Sequence, residues 1–197
     1  MGISKAKAAV NRKAIIDAAG KLFRQKGVNA VGLEELMRAA GFSQGGFYNH
    51  FKSKNDLVAA VMEQAMQDGA CDFIAAMDSA RARDLNVLDH QVDWYLSEEH
   101  RAGIETGCPL TGFVGDISHM DAATQATYEQ GLSANLERFA QLVAKPGMSN
   151  AEIREKALAL FSEMVGALIL SRAVSQTNPN LATEILLASR KRLHNAA

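Results

Sequence analysis

The sequence predicts an all-α protein: an N-terminal three-helix helix-turn-helix domain, residues 1–53, and a larger helical domain, residues 54–197, with about nine helices in all. Three observations lead there. Apolar residues recur at i, i+3, i+4 and i+7 in nearly every segment, and no stretch alternates β-branched and polar residues as a half-buried strand does. Residues 32–54, GLEELMRAAGFSQGGFYNHFKSK, write a helix, a tight turn and a short second helix. Charge is also divided. Through Gln67 there are ten Lys or Arg against five Asp or Glu, a net of +5, whereas the remainder has eleven against seventeen, a net of −6. A whole-chain charge of −1 thus conceals a basic head on an acidic body, the layout of a molecule that meets nucleic acid at one end.

The first helix is expected over about Asn11 to Lys26, with Ile15, Ala19 and Leu22 on one face and Gly27 closing it. The basic segment before it, Lys5 to Lys13, is expected to be partly disordered and to lie along DNA phosphates. Leu33, Leu36, Met37 and Ala40 draw one apolar stripe down a second helix, and Gly41 supplies the left-handed residue that ends it. Ser43 then stands as N-cap of a helix from about Gln44 to Phe51. Phe47 and Phe51, at i and i+4, are its inward residues. Gln44, Gly45, Tyr48, Asn49, His50 and Lys52 face outward. Adjacent Gly45 and Gly46 each cost about 1 kcal/mol in a helix relative to Ala. Two explanations stand open: close approach of the backbone to something large, such as a phosphate chain, or tight packing of the two helices.

Ser53 caps a long helix from Lys54 to about Ala80, whose apolar positions run from Leu57 and Val61 to Phe73 and Met77. Val87 to about Ser97 is amphipathic, and Gly103 and Gly107 bracket a loop. Pro109 suits a first helical turn, which places Cys108 at or near the N-cap of a helix reaching about His119. Another helix opens at Asp121 and is ended by Pro146 and Gly147. The eighth, about Asn150 to Ser175, is apolar nearly all round from Ala157 to Leu170, so two separate surfaces must cover it. Asn178 and Pro179 turn the chain into a last helix striped by Leu181, Ile185, Leu186 and Leu193. The expected cover for the eighth helix is the body on one side and a second copy of the chain on the other, the last two helices of each pairing as a four-helix bundle. A monomer with that helix at its centre is the competing arrangement.

The run from Asn11 to Leu57, with Gly27 closing its first helix and GFSQGGFYNHFKSK at its end, resembles the tetracycline-repressor (TetR) family of bacterial transcriptional regulators. The resemblance implies a homodimer on a near-palindromic operator in double-stranded DNA, released by a small-molecule effector. The family has Ser or Thr before its second helix, Lys after the turn serine and a hydroxyl after the first recognition-helix glycine; this chain has Val31 and Gly32, Gln44 and Gly46 there. Phosphate contacts made by those hydroxyls therefore do not carry over. Gln44 is the first choice for reading a base, since an amide pairs bidentately with adenine, with Asn49 second. Tyr48, His50, Lys52 and Lys54 are expected on phosphates, where they position without specifying sequence. Ser43, Gly45 and Gly46 complete the DNA-binding set.

An effector pocket is expected in the body, from Phe73, Met77, Trp94, Tyr95, Cys108, Phe113, Tyr128, Phe161 and Met164, although each taken singly also reads as ordinary core. Its occupant would be a small apolar or electrophilic molecule. Residues 95–110, YLSEEHRAGIETGCPL, also look like a segment of one TetR branch with electrophile-responsive members; a thiol-based sensor acting through Cys108 is the alternative, if a helix N-terminus lowers the thiol pKa.

Other classes fare worse. Cys108 and His119 are too far apart along one helix to form a dyad, and no phosphate loop or dinucleotide fingerprint is present, so no enzyme and no cofactor is expected. Cys71 and Cys108 make no disulfide framework, and no zinc-ligand spacing occurs, so no metal is expected. A DNA-binding protein without sequence preference would carry its positive charge over most of its surface. Met1 to Val10 lacks the apolar stretch of a secretory signal, and Met164 to Leu170 is far short of the roughly 20 residues that span a bilayer; a cytoplasmic protein without a membrane partner is expected.

Overall fold

A computed structural model describes residues 5–196. The outermost parts of the two expected domains, residues 1–4 and 197, lie outside the described residues. Among the described residues there are nine α-helices, two short 3-10 segments and no strand, as the periodicity predicts. The α-helices are α1 (Lys5–Lys26), α2 (Leu33–Ala39), α3 (Lys54–Ala82), α4 (Val87–Tyr95), α5 (Glu98–Ala102), α6 (Pro109–Gly112), α7 (Ala122–Val143), α8 (Asn150–Val174) and α9 (Pro179–Ala196). The 3-10 segments are Gln44–Asn49 and Ile117–His119.

Two compact units result. The first comprises the chain up to Asp68 together with Ile104–Glu129, and the second comprises Gly69–Gly103 and Gln130–Ala197. The expected division between residues 53 and 54 falls inside the first unit, which takes in the start of α3 as far as Asp68, and residues 104–129 join that unit as α6 packs on α1.

In the first unit, Ile15, Phe23, Leu36, Met37, Phe47 and Leu57 are fully buried. α1 is six residues longer than expected at its start. Lys5–Val10 is helical rather than disordered, since Ala and Lys are both strong helix formers. Gly32 is the N-cap of α2 in extended conformation, without a side-chain bond. Gly41 has φ +82°, with Phe42 N–H donating to Met37 O (2.8 Å) and Gly41 N–H to Arg38 O (3.0 Å), so α2 ends in a Schellman motif. The helix expected from Pro109 to His119 stops at Gly112, then resumes as a 3-10 turn at Ile117. A Cβ on Gly112 would lie 2.9 Å from Arg24 Cγ, so a residue with no side chain allows α6 to approach α1.

In the second unit, Leu96, Phe139, Met164, Leu168 and Leu186 are buried, and Phe139 meets Phe161 edge-on with centroids 5.5 Å apart. α8 packs most extensively against α9. Ser149 and Glu152 cap α8 reciprocally: the Ser149 hydroxyl accepts from Glu152 N–H, and the Glu152 carboxylate accepts from Ser149 N–H at 2.8 Å. α5, inside a stretch expected to be loop, is capped by Ser97 and held by Arg172, which donates to the carbonyls of His100 (2.6 Å) and Arg101 (3.1 Å). By length and composition alone α8 is apolar enough to cross a membrane. Its apolar residues divide between a buried stripe, Ala157 to Leu168, and exposed Leu158 and Leu170.

Candidate nucleic-acid interface

The outward segment after the turn is 3-10 over Gln44–Asn49 rather than a longer helix. It is fixed from beneath by two aromatic anchors. Phe47 is 0 % exposed and Phe51 2 %, and their rings stack with centroids 5.7 Å apart. Tyr48 meets Phe47 edge-on at 5.2 Å yet is 69 % exposed, and Gln44, Gly45, Asn49 and Lys52 are exposed beside it. His50, the C-cap, is half-buried. Ser43 occupies the N-cap position with extended geometry, but its hydroxyl makes no capping bond. The two glycines are not required by intramolecular packing: a Cβ on Gly45 would meet nothing within 4 Å, and one on Gly46 would meet only Met37 Cε at 3.8 Å. Neither has a positive φ.

Lys54 is employed differently from its neighbours. Its Nζ donates to the carbonyls of Val28 (2.6 Å) and Val31 (2.7 Å) and lies 5.9 Å from the centroid of Phe23. Burial holds its pKa below the ordinary 10.5, with Asp116 opposing that shift. The head group thus ties the α1–α2 loop to the start of α3. Lys52 supports the same junction through its backbone: its N–H donates to Asp56 Oδ2 (3.0 Å), while Asp56 N–H donates to the Ser53 hydroxyl (3.1 Å).

Arg12 completes the underside and was not among the expected site residues. Its guanidinium lies over the Phe51 ring, 4.8 Å from the centroid, a cation–π contact between positions 39 apart that no local spacing announces. Residues 104–129 hold the other end of α1. Arg24 donates to Glu105 O (3.2 Å), Gln25 Nε2 to Glu105 Oε1 (2.6 Å), and Val28 N–H to Asp116 Oδ2 (3.2 Å).

The nine residues expected around an effector divide between the units. Phe73, Met77, Tyr95, Phe161 and Met164 are buried in the second, where Trp94 is half-buried and stacks on His100 with centroids 5.2 Å apart. Cys108, Phe113 and Tyr128 belong to the first. There Phe113 lies under the Arg24 guanidinium at 5.2 Å, and Tyr128 donates to Leu110 O at 2.7 Å. Burial, then the neighbouring Cys108, pushes the Tyr128 phenol up to about 12. Cys108 is the N-cap of α6, a helix of four residues. That helix ends at Phe113, short of the His119 to which it was expected to reach.

Comparison with known proteins accords with this geometry. Residues 15–61 match the model of the bacterial regulatory proteins of the tetR family. An uncharacterized HTH-type transcriptional regulator of Lactococcus lactis is 23% identical over 168 residues, covering 85% of this chain and 86% of that protein. The HTH-type transcriptional regulator AcrR of Shigella flexneri is 42% identical over 60 residues, covering 30% of this chain and 28% of AcrR. In three dimensions the reduced form of E. coli NemR superposes with a TM-score of 0.73 at 19% identity, covering 94% of this chain and 96% of NemR.

Proposed function

Since this chain is a DNA-binding transcriptional regulator of the TetR family, we propose that it is a repressor that binds a near-palindromic operator as a homodimer and is released by a small-molecule effector. The observation that carries the DNA-reading part is the segment Gln44–Asn49, exposed along its polar row and anchored by buried Phe47 and Phe51. In this reading Gln44 reads a base edge, with Asn49 beside it, while Ser43, Tyr48, His50 and Lys52 hold phosphates. Gly45 and Gly46 let the backbone come close, since intramolecular packing gives no reason for them. Lys54 and Arg12 position the reader rather than touch DNA.

Dimerisation is supported by the apolar residues that α8 and α9 leave exposed: Leu170 is 59 % exposed, Leu187 54 %, and Leu158 and Leu181 each 40 %. A two-fold pair would cover them and set two readers one helical turn of DNA apart, roughly 34–36 Å. A cytoplasmic location follows from the same reading.

Selection of bound duplexes from random DNA tests it, combined with titration of the winning site against a scrambled one. The expected result is an inverted repeat bound by two chains, with Gln44→Ala altering the preferred bases and Lys52→Ala weakening all duplexes alike. Equal affinity for selected and scrambled duplexes would replace a sequence reader with a nonspecific binder.

A further inference from the structure

Gln91 lies on α4 and is 0 % exposed, yet neither its Oε1 nor its Nε2 has a hydrogen-bond partner among the described residues. Two other residues buried in the same unit, Ser171 and Asn135, are served: Ser171 donates to Ala182 O at 2.8 Å, and Asn135 Oδ1 accepts from Arg138 at 3.2 Å. A buried amide left in this condition loses its hydration at every one of its donor and acceptor positions. Folding gives no reason to keep it. Asn86 already caps the helix, accepting from Asp89 N–H at 3.0 Å, and Leu88, Val92 and Tyr95 already supply its buried face. A leucine at 91 would be of similar size without the desolvation.

We propose that Gln91 is the polar anchor of the effector site and selects a small, flat, largely apolar molecule carrying a carboxamide or lactam edge; this rests on the ligand-responsive reading above. The chemistry follows from the side chain. A primary amide presents an acceptor and two N–H donors at one planar end, and its complement is a group that offers a donor and an acceptor side by side. Gln91 and Tyr95 stand at i and i+4, on the same side of α4, so the amide is followed one turn later by a buried aromatic ring. A few placed polar groups, here the Gln91 amide and the Tyr95 hydroxyl, on an otherwise apolar helix face are the composition of small-molecule sites.

Benzamide and toluene are suitable probes, matched in shape and differing in that edge, added to the full-length, uniformly 15N-labelled protein. The side-chain NH2 pair of Gln91 is identified as the pair missing from Gln91→Leu. Benzamide is expected to move that pair saturably, and to bind Gln91→Leu at least tenfold more weakly than the unaltered protein. Toluene is expected to bind both alike. Gln91→Leu alone is expected to melt no lower than the unaltered protein. Equal benzamide affinity in both proteins, or an unmoved Gln91 pair, overturns the proposal, as does a high-resolution crystal structure with ordered waters on the amide that benzamide does not displace. The two readings fail separately. Operator release by benzamide with equal affinity in both proteins removes Gln91 and keeps the ligand response. A Gln91-dependent shift, with no carboxamide or lactam releasing the operator, keeps the site and removes the response.

Discussion

Gly45 separates the two explanations that its sequence leaves open. An added methyl there would meet nothing within 4 Å, and the residue has no positive φ. Gly45→Ala should therefore leave thermal stability unchanged, or raise it by about 0.4–1 kcal/mol, by restricting the unfolded chain. If the bare backbone is there to meet DNA, operator affinity should nevertheless fall at least tenfold, on the order of 1.4 kcal/mol. Retained affinity in a binding titration would show that the added methyl obstructs nothing. Lys54 behaves in the opposite manner. Lys54→Met deletes two charge-assisted bonds to loop carbonyls, so it should destabilise the first unit by about 1–3 kcal/mol in urea unfolding. His100 carries a pH signature. Burial, foremost, and Arg172 hold its pKa below the ordinary 6.5 while the Tyr95 carbonyl opposes them, and a carbonyl partner requires the proton on Nδ1. The unfolded chain therefore takes up a proton that the folded one resists: the His100 contribution is fully present above about pH 6.5 and is lost as pH falls below it. His100→Gln should flatten the melting temperature between pH 7 and 5. Trp94, the only tryptophan and stacked on that ring, reports the same titration by fluorescence.

Helices differ in how much of their extent local sequence determines. Ser149 and Glu152 make a capping box that sits openly in the sequence as S-x-x-E, and Ser149→Ala should cost about 1 kcal/mol of stability, measured by denaturant unfolding. The start of α8 and the Gly41 end of α2 are legible because propensity and capping act over four or five residues. The early start of α1 is hidden because a run of lysines suggests solvation, although alanines between them make it helical. α5 and the break in α6 lie beyond local reading. α5 has five residues, too few to show a period, and depends on Arg172, about 70 positions away. α6 stops where Gly112 meets Arg24. Among the site residues, the outward row at 44–52 is legible from the i, i+4 pair Phe47 and Phe51. The inward turn of Lys54 and the Arg12–Phe51 contact are not, since both are set by tertiary packing.

At the scale of the whole molecule, the exposed leucines of α8 and α9 bear on assembly. Leu187→Glu places a charge on a residue already 54 % exposed, so a lone chain should fold about as well as before. A dimer that buries Leu187 should dissociate, and sedimentation should show the mass halved together with loss of operator binding. An unchanged mass would place the partner surface elsewhere. The inclusion of residues 104–129 in the first unit has a practical side. An engineer who grafts only the first 53 residues onto a foreign body would transplant the letters that address DNA but not their footing. Arg24, Gln25 and Val28 would leave behind Glu105 and Asp116, and the graft should melt early however faithfully its reading face is copied.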